Sequence, residues 1–91
     1  MYKSEIIQLH QLLVNLMKFL VDNGIPREKF SEYLNLTISP HHIYKTKNEH
    51  KKAVFLLANE ISNVLADNNE IVPTGVARRI EYIWDRLKED D

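Results

Sequence analysis

Ser39-Pro40-His41-His42 is followed closely by Lys45, Lys47, Glu49, His50, Lys51 and Lys52, so three of the chain's four histidines gather in one short stretch. Four lysines against one glutamate make that stretch cationic, in a chain whose formal net charge is −1. Two chemistries suit such a cluster. The first is anion binding. Ser39 as N-cap and Pro40 at the first helical position predict a helix start, where free amides and a positive partial charge favour a phosphate. His41, His42, Lys45, Lys47 and Lys51 are the candidate anion-binding residues, with Tyr44 as a flat ring beside them for a nucleotide or a nucleic-acid backbone. Against this, the Ser39 hydroxyl already serves one amide, and exposed lysines on a helix are most often a solvated face.

The second chemistry is metal binding. A chelate on one helix needs donors at i, i+3 or i, i+4, and no pair of histidines has that spacing. His41 and His42 diverge by about 100°, and His42 lies about 12 Å along the axis from His50. A site for a divalent metal such as zinc therefore has to be assembled across helices or across a dimer, from His10, His50 and Glu49 or a water. The competing structural reading makes His50 a partly buried residue bonded to another side chain, and His10 a boundary residue. Catalysis has the weakest support: there is no G-x-S-x-G, no glycine-rich phosphate loop and no arrangement of paired carboxylates. A binding or interaction role, rather than an enzymatic one, is the expectation.

The elements that must position these residues read as helices over about 4–23, 27–35, 40–66 and 75–88. Ile6, Leu9, Leu13, Leu16 and Leu20 repeat at helical spacing, and Asn23-Gly24 supplies a left-handed cap ahead of Pro26. Phe30, Tyr33 and Leu34 mark a short amphipathic helix. Ile43, Lys47, His50, Val54, Leu57, Ile61 and Val64 follow heptad spacing, polar at first and apolar later. Val76, Ile80, Ile83 and Leu87 mark the last helix, whose acidic tail Glu89-Asp90-Asp91 opposes the helix dipole.

Ninety-one residues with 44% apolar content and only two glycines and three prolines predict a single all-α domain. Its architecture reads as an antiparallel helical hairpin or bundle with one short and one C-terminal extra helix. A helix from Pro40 to about Ala66 would be about 40 Å long, against a diameter of about 30 Å for a globule of this size. That overhang, with the broad apolar surface of the first helix, predicts a homodimeric bundle. The pI near 6.4 excludes a surface built wholly for nucleic acid. No cysteine is available for a disulfide or a thiolate metal site. Neither a signal peptide nor a spanning helix is indicated, so no membrane is expected and the cytoplasm is the expected location.

Leu9-His10-Gln11-Leu12-Leu13, then Phe30, Tyr33, Ser39-Pro40, Lys45, Lys47, Glu49-His50-Lys51 and Ala53-Val54-Phe55, resemble a small archaeal family of uncharacterised proteins, the fifty-eighth of the uncharacterised series. The resemblance covers about residues 1 to 67 and leaves the segment after Asp67, with Trp84, outside. It implies an all-helical cytoplasmic protein, a loose association with metal binding, and no established activity. The family's polar positions fall on His10, Lys45, Lys47, His50 and Lys51. A histidine often stands in the family where this chain has Tyr44.

Overall fold

The computed structural model describes residues 1–67, 78, 81–83 and 85–87. Its elements are α1 (Lys3–Asp22), a 3-10 turn (Arg27–Phe30), α2 (Ser31–Leu36) and α3 (Lys47–Asp67), with no strand among the described residues. The chain is all-α, as its composition predicts. The described residues of the expected 75–88 helix are helical, and its Ile83 and Leu87 are fully buried in the common core. Trp84 lies outside the described residues.

Local chemistry explains each boundary. At the start of α1 the Glu5 carboxylate accepts the Tyr2 amide at 3.1 Å. At its end Gly24 takes φ +103°, so that the Ile25 amide reaches the Leu20 carbonyl at 3.0 Å and the Gly24 amide that of Val21 at 3.1 Å. This is the expected left-handed cap. The start of α2 is capped from a distance: Glu60 of α3 accepts the amides of Glu32 at 3.2 Å and Tyr33 at 3.0 Å. Burial raises the Glu60 pKa above its ordinary value, although these two amides pull the other way.

The start of the long helix differs from expectation. Ser39 and Pro40 do not open it; residues 37–46 form an irregular connection and α3 begins at Lys47. Thr46 and Glu49 win the competition because they cap reciprocally. Thr46 Oγ1 accepts the Glu49 amide and the Glu49 carboxylate accepts the Thr46 amide, both at 3.1 Å. Starting later spares the chain a polar extension with nothing to pack on. The 21 residues of α3 span about 31 Å, within the molecule's longest dimension of 36 Å. The overhang that pointed to a second copy is absent.

The direction of the long pair also departs from the antiparallel hairpin. Lys3 reaches the Ile43 carbonyl at 2.6 Å and His10 meets His50, so partner numbers rise together and α1 and α3 run in the same sense. The chain returns through the 3-10 turn, α2 and the connection, and the first two of these pack on α3. Between the long helices lies an apolar core: Leu13, Leu20, Phe30, Val54, Leu57 and Ile61 are all fully buried. No described helix is long and apolar enough to cross a membrane.

Candidate functional site

Two histidines stand inside that core with no exposed surface at all. His10 is flanked on α1 by Ile6 and Leu13, and His50 on α3 by Ala53 and Val54, each fully buried. Their Nδ1 atoms lie 3.0 Å apart. The outer nitrogen of His10, Nε2, is 2.6 Å from the hydroxyl of Tyr33 on α2, which is itself 3.2 Å from the Ile38 carbonyl. The outer nitrogen of His50 lies 2.8 Å from the His42 carbonyl. The result is a continuous polar chain from Ile38 through three side chains to His42. Its two ends are both carbonyls of the connection 37–46.

The His42 carbonyl at one end, and at the other the shorter reach of the Tyr33 hydroxyl to His10 (2.6 Å) than to Ile38 (3.2 Å), set the protons. A carbonyl can only accept, so His50 Nε2 carries hydrogen and its Nδ1 is the acceptor in the neutral ring. His10 then donates from Nδ1 and accepts at Nε2 from Tyr33. Burial is the main cause that lowers the His10 pKa to about 4, and charge on His50 and His42 adds to it. Burial also pushes the Tyr33 hydroxyl up to about 12. At neutral pH His10 is neutral and Tyr33 keeps its proton, as the bonding pattern requires.

The metal candidates are thereby divided. His10 and His50 converge across helices, as the cross-helix reading required, while Glu49 stands apart at the mouth of α3, bound to Thr46 and 3.7 Å from Lys45 Nζ. Among the described residues no group of three or more His, Asp or Glu is placed to hold a metal ion. Tyr33 engages the outer nitrogen of His10, away from the facing Nδ1 pair, so it orients a ring and stands outside any position between the two histidines.

The anion candidates divide too. His41, His42 and Lys45 lie on the connection, whereas Lys47 and Lys51 lie in the first two turns of α3. The helix N-terminus itself is occupied by Thr46 and by the Glu49 carboxylate, whose pKa those bonds lower. An anion would meet a negative charge there. The exposed side of the connection offers a different surface. His41 and His42 rings are 4.5 Å apart, His42 and Tyr44 rings 5.6 Å apart, and Lys45 Nζ lies 5.7 Å from the Tyr44 ring. Tyr44 is 75% exposed and Ile43 67%. Inside, His42 Nδ1 accepts the Ser39 amide at 3.0 Å, so one residue serves both faces.

Sequence reasoning passed over Tyr33 and Glu60. Tyr33 read only as an apolar position, although a tyrosine on a buried face needs a partner for its hydroxyl. Glu60 stands three residues from Leu57 on the buried face of α3, and a carboxylate there signals amides to be capped.

The family model described as uncharacterised protein family UPF0058 matches residues 1–87 of the chain. It therefore extends beyond the residues that carried the resemblance and takes in most of the segment after Asp67. A UPF0058 protein of Methanothermobacter thermautotrophicus is 47% identical over 78 residues, covering 84% of this chain and 76% of the relative. One of Methanocaldococcus jannaschii is 40% identical over 91 residues, covering 99% and 87% respectively. The crystal structure of Vng1086c from Halobacterium salinarium matches at TM-score 0.67 and 33% identity, over 76% of this chain and 93% of that one.

Proposed function

We propose, for a chain that belongs to the uncharacterised protein family UPF0058, that it is a small binding protein whose recognition face is the outer side of the connection 37–46. Its ligand class is a phosphate-bearing molecule carrying a flat ring, such as a nucleotide or a single-stranded nucleic acid. The observation that carries this reading is the row of His41, His42 and Tyr44 rings with Lys45 beside it. Rings supply stacking surface and lysines meet phosphate. The network beneath supports it by pinning the connection at Ile38 and His42, which holds the row in one arrangement.

The test is binding of a labelled oligonucleotide at several salt concentrations, with inorganic phosphate as competitor. Affinity should fall as salt rises, and Tyr44→Ala should weaken the oligonucleotide several-fold more than it weakens phosphate. Absence of binding at low salt, or an effect of Tyr44→Ala equal for both ligands, overturns the reading.

A second reading, a metal protein, is favoured by the facing Nδ1 atoms of His10 and His50 and by the partners on their outer nitrogens. Anchored outer nitrogens are what orient metal-ligating histidines elsewhere. Zinc titration of the protein and of His10→Ala and His50→Ala decides it. Stoichiometric zinc lost in both variants supports this reading; zinc unbound by the unaltered protein ends it.

A further inference from the structure

The polar chain beneath the connection is one proton short. It has four links: Ile38 carbonyl to Tyr33 hydroxyl, Tyr33 to His10, His10 to His50, and His50 to the His42 carbonyl. Three neutral side chains bring one proton each, and neither carbonyl brings any. In the neutral state the tyrosine proton goes to His10 at 2.6 Å, so the Ile38 carbonyl, 3.2 Å away, faces a hydroxyl with nothing left to give. One added proton completes every link. It enters at His10 Nε2, the hydroxyl of Tyr33 turns to donate to Ile38, and His10 becomes an imidazolium that still donates to His50.

We infer that His10, His50 and Tyr33 form a binding site for a single proton, and that filling it releases the connection 37–46 from the helical core. The direction follows from comparing gain with cost. The added proton gains one hydrogen bond, to Ile38, but it also places a charge inside an apolar seam, which is the larger effect unless a counter-charge stands by. None does. From α1 the pair is faced by His10 itself, from α2 by Tyr33, from the connection by His42, whose charge also disfavours a cation on His10, and from α3 by His50. The carboxylates of these elements are engaged or placed elsewhere: Glu49 with Thr46 and Lys45, Glu60 with the amides of α2, Glu5 with Arg86, while Asp22, Glu32 and Asp67 are exposed on the surface. The proton is therefore held more comfortably when the rings reach water. Reaching water requires the connection to lift, because both ends of the chain are its carbonyls.

The low His10 pKa agrees with this geometry and sets where to look. The release concerns the inner face of the connection, and it stands whether or not its outer face binds a phosphate.

The experiment is a pH titration of the whole protein, with chelator present, followed by nitrogen-15 spectra of the histidine rings and by hydrogen exchange of the connection amides. At pH 7 the expected tautomers are Nδ1–H on His10 and Nε2–H on His50. As pH falls towards 4 the pair should take up one proton, and the amides of Ser39 and His42, which are bonded in the closed form, should lose protection in the same step while amides in the middle of α3 keep theirs. Tyr33→Phe removes the bonds that hold the closed form at His10 and Ile38, and should shift the step to higher pH. If that variant does not fold, His42→Ala, which removes one repelling charge, should shift it to higher pH. Two results overturn the inference: a His10 ring that titrates near 6.5 like a solvated histidine, or connection amides that stay protected after the pair has taken its proton.

Discussion

The seam between α1 and α3 is built in two ways. Around Leu20, Phe30, Leu57 and Ile61 it is wholly apolar, whereas around His10 and His50 it is a polar island in equally complete burial. Apolar contacts are non-directional and accept many arrangements of similar volume. Hydrogen bonds between ring nitrogens accept very few. The apolar end therefore supplies most of the cohesion, and the polar end selects the register in which Lys3 meets Ile43 and His10 meets His50. The lesson is that uniqueness and strength are supplied by different parts of one interface.

The comparison is broken most severely at its apolar end. Phe30→Ala removes the largest fully buried side chain among the described residues and should cost about 3–5 kcal/mol in denaturant unfolding, leaving the ring tautomers of any folded fraction unchanged. Acid acts on the other end. His10 has its pKa lowered to about 4 from 6.5, so the folded state binds its proton less readily than the unfolded chain does. Stability is then complete above pH 6.5 and lost as pH falls from 6.5 towards 4, by about 3 kcal/mol in all. Equilibrium unfolding at a series of pH values checks this. Glu60, whose pKa is raised by burial, works in the opposite sense, and the acid loss should be steeper in Glu60→Gln.

Tyr33→Phe sharpens the comparison by leaving shape intact and removing a partner from His10 Nε2. About 1–3 kcal/mol should be lost at pH 7, the cost of an unsatisfied buried group, as read by a thermal or denaturant midpoint. Thr46→Ala is the mildest: it removes the cap of α3 and should lower stability by about 1 kcal/mol, with helix content reduced at the first turn only.

Particular residues show what the sequence makes legible. The repeat from Ile6 to Leu20 and the Asn23-Gly24 stop are local signals, set by neighbours a turn away, and they predict α1 and its cap as found. The pairing of His10 with His50 could be posed from the sequence as a cross-helix question, because neither has a partner on its own helix. Its answer depended on the direction of the return, which no local pattern records. The start of α3 was misread because two caps compete: Ser39-Pro40 and Thr46 with Glu49 both satisfy the local rules. The choice falls to the one that lets the His42 carbonyl fold back over His50 Nε2. The same later start removed the free helix terminus on which an anion site had been placed. Tyr33 entered the site through its hydroxyl, and spacing on a helix reports only where its ring points.

Thr37 is the one non-glycine residue with positive φ among the described residues, at 56°, and it stands where α2 passes into the connection. Thr46 stands where the connection passes into α3. A segment bounded by a left-handed residue at one end and a helix cap at the other can swing without unwinding a turn of either neighbour. How readily that flap moves would then be set at the two threonine pivots, separately from the rings that latch it.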